Sequence, residues 1–164
     1  MTPTQRQNAE VKGGGRVRTQ PMFHQVLSAR PDSVRGALMD VRRRFAGEVS
    51  DDTLGRLELV LAEVMNNVAE HAATDAGGTV RRTLPQIHLC IVRHESGLAC
   101  AITDNGISVP ADCLLPRDLP RNDVADLPEG GFGWYLIQDL TQALCYYREQ
   151  QRNFLAFSVP FAEV

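Results

Sequence analysis

The sequence is almost without lysine. Sixteen of its 17 basic residues are arginine, and the one lysine, Lys12, is followed by Gly13. A Walker A loop needs Gly-Lys-Ser/Thr, whose lysine reaches the β- and γ-phosphates. A eukaryotic-type protein kinase needs a lysine on an early strand. Both are excluded, and Schiff-base lysine chemistry falls with them. Cysteine is sparse as well: Cys90, Cys100, Cys113 and Cys145 include no Cys-x-x-Cys pair, which excludes zinc-ribbon and thioredoxin-like arrangements. No apolar run approaches the ~18 residues of a membrane span. The opening stretch MTPTQRQNAEVKGGGRVRTQ has no apolar h-region of a secretory signal. A basic excess is also missing, since 17 − 20 leaves a net charge of −3, which makes the chain a poor candidate for a dedicated nucleic-acid binder. The expectation is a cytoplasmic protein with reduced thiols and no direct contact with nucleic acid or membrane.

What is present is ordinary globular composition, 43% apolar and 23% charged over 164 residues, enough for one domain that needs neither disulfide nor metal to fold. Residues 1–20 are polar, carry a Gly13-Gly14-Gly15 run and lack periodicity, and read as a flexible tail before a domain over 21–164. Phe23–Ser28 predicts a strand. Pro31-Asp32-Ser33 predicts a helix start with Asp32 or Ser33 as N-cap, followed by the stripe Val34, Leu38, Val41 and Phe45. Arg42-Arg43-Arg44 reads as a solvated face. A second helix begins near Asp51-Asp52, runs to about His71 and buries Leu57, Val60, Leu61, Val64 and Val68. Ile87, Leu89 and Ile91, then Leu98, Cys100 and Ile102, alternate as a hairpin. A Ser96-Gly97 turn sets Ile91 opposite Ile102 and Leu89 opposite Asp104, with Cys90 and Cys100 on opposite faces.

Asn105–Gly130 is long, rich in proline and weakly periodic, the signature of a functional or disordered loop. A third helix is expected from Gly131 to about Leu144, with Leu136, Ile137, Leu140 and Leu144 inward. Tyr146–Arg148 and Phe154–Val159 close the chain as a hairpin. The order predicts an α+β fold: a single-layer mixed, mostly antiparallel sheet with three helices on one face.

Three places depart from simple patterning. The apolar helix segment LVLAEVMNNVAEHA carries Glu63, Asn66, Asn67 and Glu70, and Glu63 and Asn67 stack at i, i+4. Asp104-Asn105-Gly106 ends a core strand, and Asp104 falls on its core-facing side, where a carboxylate needs donors. Glu129-Gly130-Gly131-Phe132-Gly133 opens a helix, where backbone N–H groups favour phosphate. Taken singly, each pattern has a bland reading: a solvent face, a turn, a hinge.

In order, Glu-x-x-x-Asn, Asp-x-Gly, a long loop and Gly-x-Gly resemble the GHKL ATPase superfamily, with its Bergerat-type fold. SARPDSVRGAL, LVLAEVMNNVAEHA and EGGFGWYLI resemble the stand-alone anti-sigma-factor serine kinases of the RsbW and SpoIIAB type within it. The resemblance covers roughly Phe23 to Val159. It implies ATP and Mg²⁺ as cofactors. Asp104 would accept from the adenine amine, with Gly106 letting the base sit close. Asn66, Asn67, Gly130, Gly131, Phe132 and Gly133 would border the nucleotide, Asn67 would hold Mg²⁺, and Glu63 would be the general base.

The resemblance also implies a nucleotide-ordered lid over Asn105–Gly130, in which Arg117 or Arg121 could reach the γ-phosphate. Its partners would be a sigma factor or similar regulator and a small antagonist protein phosphorylated on serine or threonine, and it allows a homodimer. Ser108 departs from the pattern, since many members have a second glycine there. His71 reads as a helix cap. Two other readings stay open: an ATP-gated binding module without phosphoryl transfer, and a detached histidine-kinase catalytic domain.

Overall fold

The computed structural model describes residues 22–74, 77–107 and 132–162, with the backbone alone for Phe132. The expected tail, Gly130, Gly131, Arg117, Arg121 and all but the first three residues of the expected lid lie outside them. The elements run β1 (Met22–Ser28), α1 (Pro31–Phe45), α2 (Asp51–Glu70), β2 (Gln86–His94), β3 (Gly97–Asp104), α3 (Phe132–Leu140), β4 (Gln142–Glu149) and β5 (Arg152–Pro160). The five strands form one sheet in the order β1-β2-β3-β5-β4, and every pairing is antiparallel. Among the described residues no helix is long and apolar enough to cross a membrane.

Period-two alternation builds the inner face. Three rungs cross the sheet: Phe23–Ile91–Cys100–Phe157, Gln25–Leu89–Ile102–Leu155 and Leu27–Ile87–Asp104–Asn153. Against them pack the helical stripes Val34, Ala37, Val41 and Phe45 of α1, Leu57, Val60, Leu61 and Val64 of α2, and Trp134 and Ile137 of α3. One α+β layer of helices on one sheet face results, as the pattern predicts.

The structure corrects several local expectations. The β2–β3 turn is Glu95-Ser96, because His94 pairs with Gly97; Leu89 therefore faces Ile102, Ile91 faces Cys100 and Ile87 faces Asp104. Gly97 is needed in the strand itself, since a Cβ there would overlap the Val159 carbonyl oxygen of β5. The slip is two residues, an even number, so every side chain keeps its expected face. The N-cap of α1 is Arg30, with no side-chain cap. Pro31 occupies the first helical position, where it has no N–H to satisfy, and Asp32 and Ser33 lie inside the helix. Helix α3 stops at Leu140, not Leu144. The Thr141 hydroxyl donates back to the Ile137 carbonyl at 2.6 Å. The chain then turns through Ala143, whose φ is 53°, so Leu144 packs on the core from β4.

Candidate functional site

The inward row of β3 reads Leu98, Cys100, Ile102, Asp104, so a carboxylate takes the last core position and is only 8% exposed. Two donors meet its Oδ1: the Gly106 backbone N–H at 2.8 Å and the Asn153 side-chain amide at 3.0 Å. Its Oδ2 accepts no hydrogen bond from the described residues. Burial pushes the Asp104 carboxyl above the usual carboxylate range, while the bonds from Asn153 and Gly106 and the charges of Arg148 and Arg81 pull it back. The result is a carboxylate with one oxygen bonded and the other left without a hydrogen bond from the described residues, which suits a ligand that brings an N–H donor. Gly106 keeps the place open, since a Cβ there would lie 2.8 Å from Asp104 Oδ1.

Asn153 is the hub of this corner. Besides Asp104, its amide donates to the Ile107 carbonyl at 2.7 Å. Its Oδ1 accepts from the Tyr146 hydroxyl and from Arg148 Nη1, each at 2.8 Å. Arg148 Nη1 also donates to the Gly106 carbonyl at 3.0 Å. Asn105 Oδ1 accepts from the Gln86 N–H at 2.7 Å, tying the start of β2 to the end of β3. Asn153, Arg148 and Tyr146 were not among the sequence candidates. The signal was present, because Asn153 is the one polar member of the inward row Asn153, Leu155, Phe157, Val159.

Helix α2 supplies the second wall. Ser50 caps its start, accepting from the Thr53 N–H at 3.1 Å, and Asp51 and Asp52 suit its first turn. Its last turn carries no basic residue. His71 is the C-cap, as expected, through its backbone N–H, which donates to the Asn67 carbonyl at 3.4 Å. Glu63 and Asn66 are exposed and Asn67 is half-buried. The Glu63 carboxylate lies directly against Gly133 in the first turn of α3, so that a Cβ at Gly133 would overlap Glu63 Oε2. Buried Trp134 and Ile137 hold α3 there. Five residues further along α2, about 1.4 turns, Val68 lies beside Gly106. Asn67 thus sits on a helix whose neighbours are Gly133 at Glu63 and Gly106 at Val68.

Among the described residues no three His, Cys, Asp or Glu side chains gather to hold a metal. That donor set does not make an all-protein cage. The half-buried Asn67 amide oxygen is a hard donor of the kind Mg²⁺ takes together with substrate phosphates and water.

The site thus joins an antiparallel sheet with three helices on one face, a buried strand-end carboxylate beside a glycine, and a glycine in the first turn of a helix against a glutamate. A family model described as Histidine kinase-like ATPase domain matches residues 27–159, and the chain belongs to that family. It is 29% identical over 111 residues to Blue-light-activated histidine kinase 2 of Erythrobacter litoralis, a match covering 67% of this chain and 27% of that protein. The chain thus spans about a quarter of the curated relative it matches. In fold it is similar to the RsbU and RsbW domains of a Mycobacterium tuberculosis protein, at TM-score 0.59 and 12% identity over 88% of this chain and 33% of that one. It is also similar to an Erythrobacter litoralis blue-light-activated histidine kinase, at TM-score 0.50 and 18% identity over 79% of this chain and 41% of that one.

Proposed function

We propose that this domain binds Mg-ATP between α2, the end of β3 and the start of α3, and transfers the γ-phosphoryl group to a serine or threonine of a small antagonist protein. A sigma factor or similar regulator is the second partner, held or released according to nucleotide state. The observation that carries the reading is the Glu63 carboxylate against Gly133. It sets a base beside a helix start, where backbone amides favour phosphate.

Asp104 Oδ2 accepts from the adenine amine, and Gly106 gives the ring room. Asn67 holds Mg²⁺, which supplies charge stabilisation to the phosphates when bound. Glu63 takes the proton from the attacking hydroxyl as its oxygen bonds to phosphorus and the bond to the ADP oxygen breaks. Transfer of this kind needs mainly positioning and charge stabilisation.

A second reading is favoured by the 29% identity to a histidine kinase: the same site phosphorylates a histidine nitrogen. Radiolabel transfer from ATP to the bound partner separates the two, because phosphoserine survives acid and phosphohistidine does not. Glu63→Gln keeps the shape and loses the basicity. It is expected to lower serine transfer ~10²–10⁴-fold with ATP affinity nearly intact, while Asn67→Ala weakens nucleotide binding itself. Wild-type transfer in Glu63→Gln would overturn the assignment of the base. Tight partner binding without any transfer would leave a nucleotide-gated binding module.

A further inference from the structure

A cleft of about 590 Å³ lies at the far side of Asp104, between the β4–β5 turn and the segment leading to β2. Its described lining is Gly77, Arg81, Asn105, Arg148, Gln150, Gln151 and Arg152. Three guanidinium groups and three side-chain amides therefore share one space, and no carboxylate lines it among the described residues.

The contrast is with the two helices; Arg30, Arg82 and Arg93, like the cleft's arginines, have no carboxylate oxygen within 4.0 Å among the described residues. Arg35, Arg42, Arg43, Arg44 and Arg56, all on α1 and α2, each have a carboxylate oxygen within 4.0 Å. The cleft's three arginines have none among the described residues. Asp104 lies close enough for Arg81 and Arg148 to act on its charge, without forming an ion pair with either. Glu149 faces Arg152 across the strand register and does not pair with it.

Donors are left over. Arg81 spends Nε on the Thr74 carbonyl at 3.1 Å, which leaves both Nη groups. Arg148 spends Nη1 and keeps Nη2 and Nε. Arg152 makes no side-chain hydrogen bond to the described residues.

The turn beside the cleft adds a further point. Gln150 and Gln151 have φ of 50° and 62°, the left-handed pair that Asn-Gly or Asp-Gly adopts with least strain. Glutamine in both places costs conformational energy and gains two long amide side chains at the cleft wall. Strain kept at a turn points to use of its side chains.

We propose that Arg81, Arg148 and Arg152, with Asn105, Gln150 and Gln151, form an anion site for a phosphoryl group, separate from the Glu63–Gly133 corner. Arginine forks match phosphate oxygens two at a time, and clustered arginines without acidic partners are the common device for recognising phosphorylated groups. Free phosphate and a phosphorylated side chain share this chemistry.

The test titrates the full chain with inorganic phosphate, and separately with a phosphoserine peptide. Ionic strength is held fixed, a saturating Mg-bound non-hydrolysable ATP analogue is present, and the Nε–Hε NMR signals of Arg81 and Arg152 are followed. Saturable shifts are expected. Arg152→Gln and Arg81→Gln should each weaken binding about tenfold, the usual loss of one charged hydrogen bond, and Arg35→Gln on α1 should change nothing. A peptide that binds tighter than inorganic phosphate assigns the site to a phosphorylated side chain; the reverse assigns it to free phosphate.

Shifts that do not saturate, or equal affinity in Arg152→Gln and Arg35→Gln, would overturn the proposal. So would phosphate shifts that the analogue abolishes, because the anion would then sit in the nucleotide site. Failure of the nucleotide reading is seen separately, as an analogue that does not bind, and the Arg81 and Arg152 signals still report the cleft.

Discussion

At one end of the inner sheet face Leu98 faces Val159, both fully buried; three rungs along, Asp104 faces Asn153 in the same inward positions, 8% and 3% exposed. Backbone pairing and burial are alike at the two ends, and only the chemistry differs. The apolar end contributes transfer free energy wherever its neighbours fill the space. The polar end contributes only as long as each donor meets its acceptor, and it leaves one acceptor, Asp104 Oδ2, for something outside the described residues. The same sheet rung can thus serve as core or as site, and what separates the two is whether a lone pair is left over.

Between the two ends, Ile102→Ala should have the largest effect on stability. Ile102 is 1% exposed, and removing a buried isoleucine side chain costs about 2–5 kcal/mol. Urea denaturation should show a lower midpoint at unchanged slope. Equal stability would mean that the middle of the face is not the packed core described.

Asn153→Leu removes the hub while keeping the volume. It removes the 2.8 Å acceptor of the Tyr146 hydroxyl and deprives Asp104 Oδ1 of one donor, at a cost of about 1–3 kcal/mol. Calorimetry should record weaker ATP binding than in Ile102→Ala measured under conditions where both variants are folded. If Asn153→Leu bound ATP as the wild type does, the polar end would be ordinary core and the comparison would collapse.

The smallest effect is one of pH. Asp104 titrates above its unfolded value because burial disfavours its charge. The folded state therefore holds that proton more tightly than the unfolded chain. Its contribution is fully present below the unfolded pKa and is lost as pH rises through the folded one. Relative to Asp104→Asn, the wild type should lose stability as pH climbs from about 4, the ordinary carboxylate range, toward neutrality. Parallel stability curves for the two proteins would show that desolvation does not govern this carboxyl.

Much of this was legible from residue order alone. Alternation in Ile87–Ile91 and Leu98–Ile102 gives the inner face, and Leu57–Val64 gives the stripe that covers it. The turn was misplaced because Ser-Gly is a good turn dipeptide locally, whereas Gly97 is claimed by the close approach of β5, a contact 62 residues away in the chain. The α3 end was extended because Leu144 continues a helical spacing, while the strand that captures it is visible only once β5 is in place. Glu63, Asn67, Asp104, Gly106 and Gly133 stand out in the residue pattern and take site roles from the family resemblance, and the structure sets Glu63 against Gly133 and Asp104 against Gly106. Asn153 was missed because an asparagine two residues after a turn looks like part of the turn. Its burial depends on β3, 49 residues earlier.

The strand order has a consequence for synthesis. β5, the last to be made of the five described strands, is inserted between β3 and β4 rather than added at an edge. A chain emerging from the ribosome with residues up to Glu149 holds β1, β2 and β3 with an unpaired flank, and β4 has no partner. Asp104 waits without Asn153 during that interval. The hydrogen bond between Asp104 and Asn153 can form only when the nine-residue strand β5 enters the gap between β3 and β4.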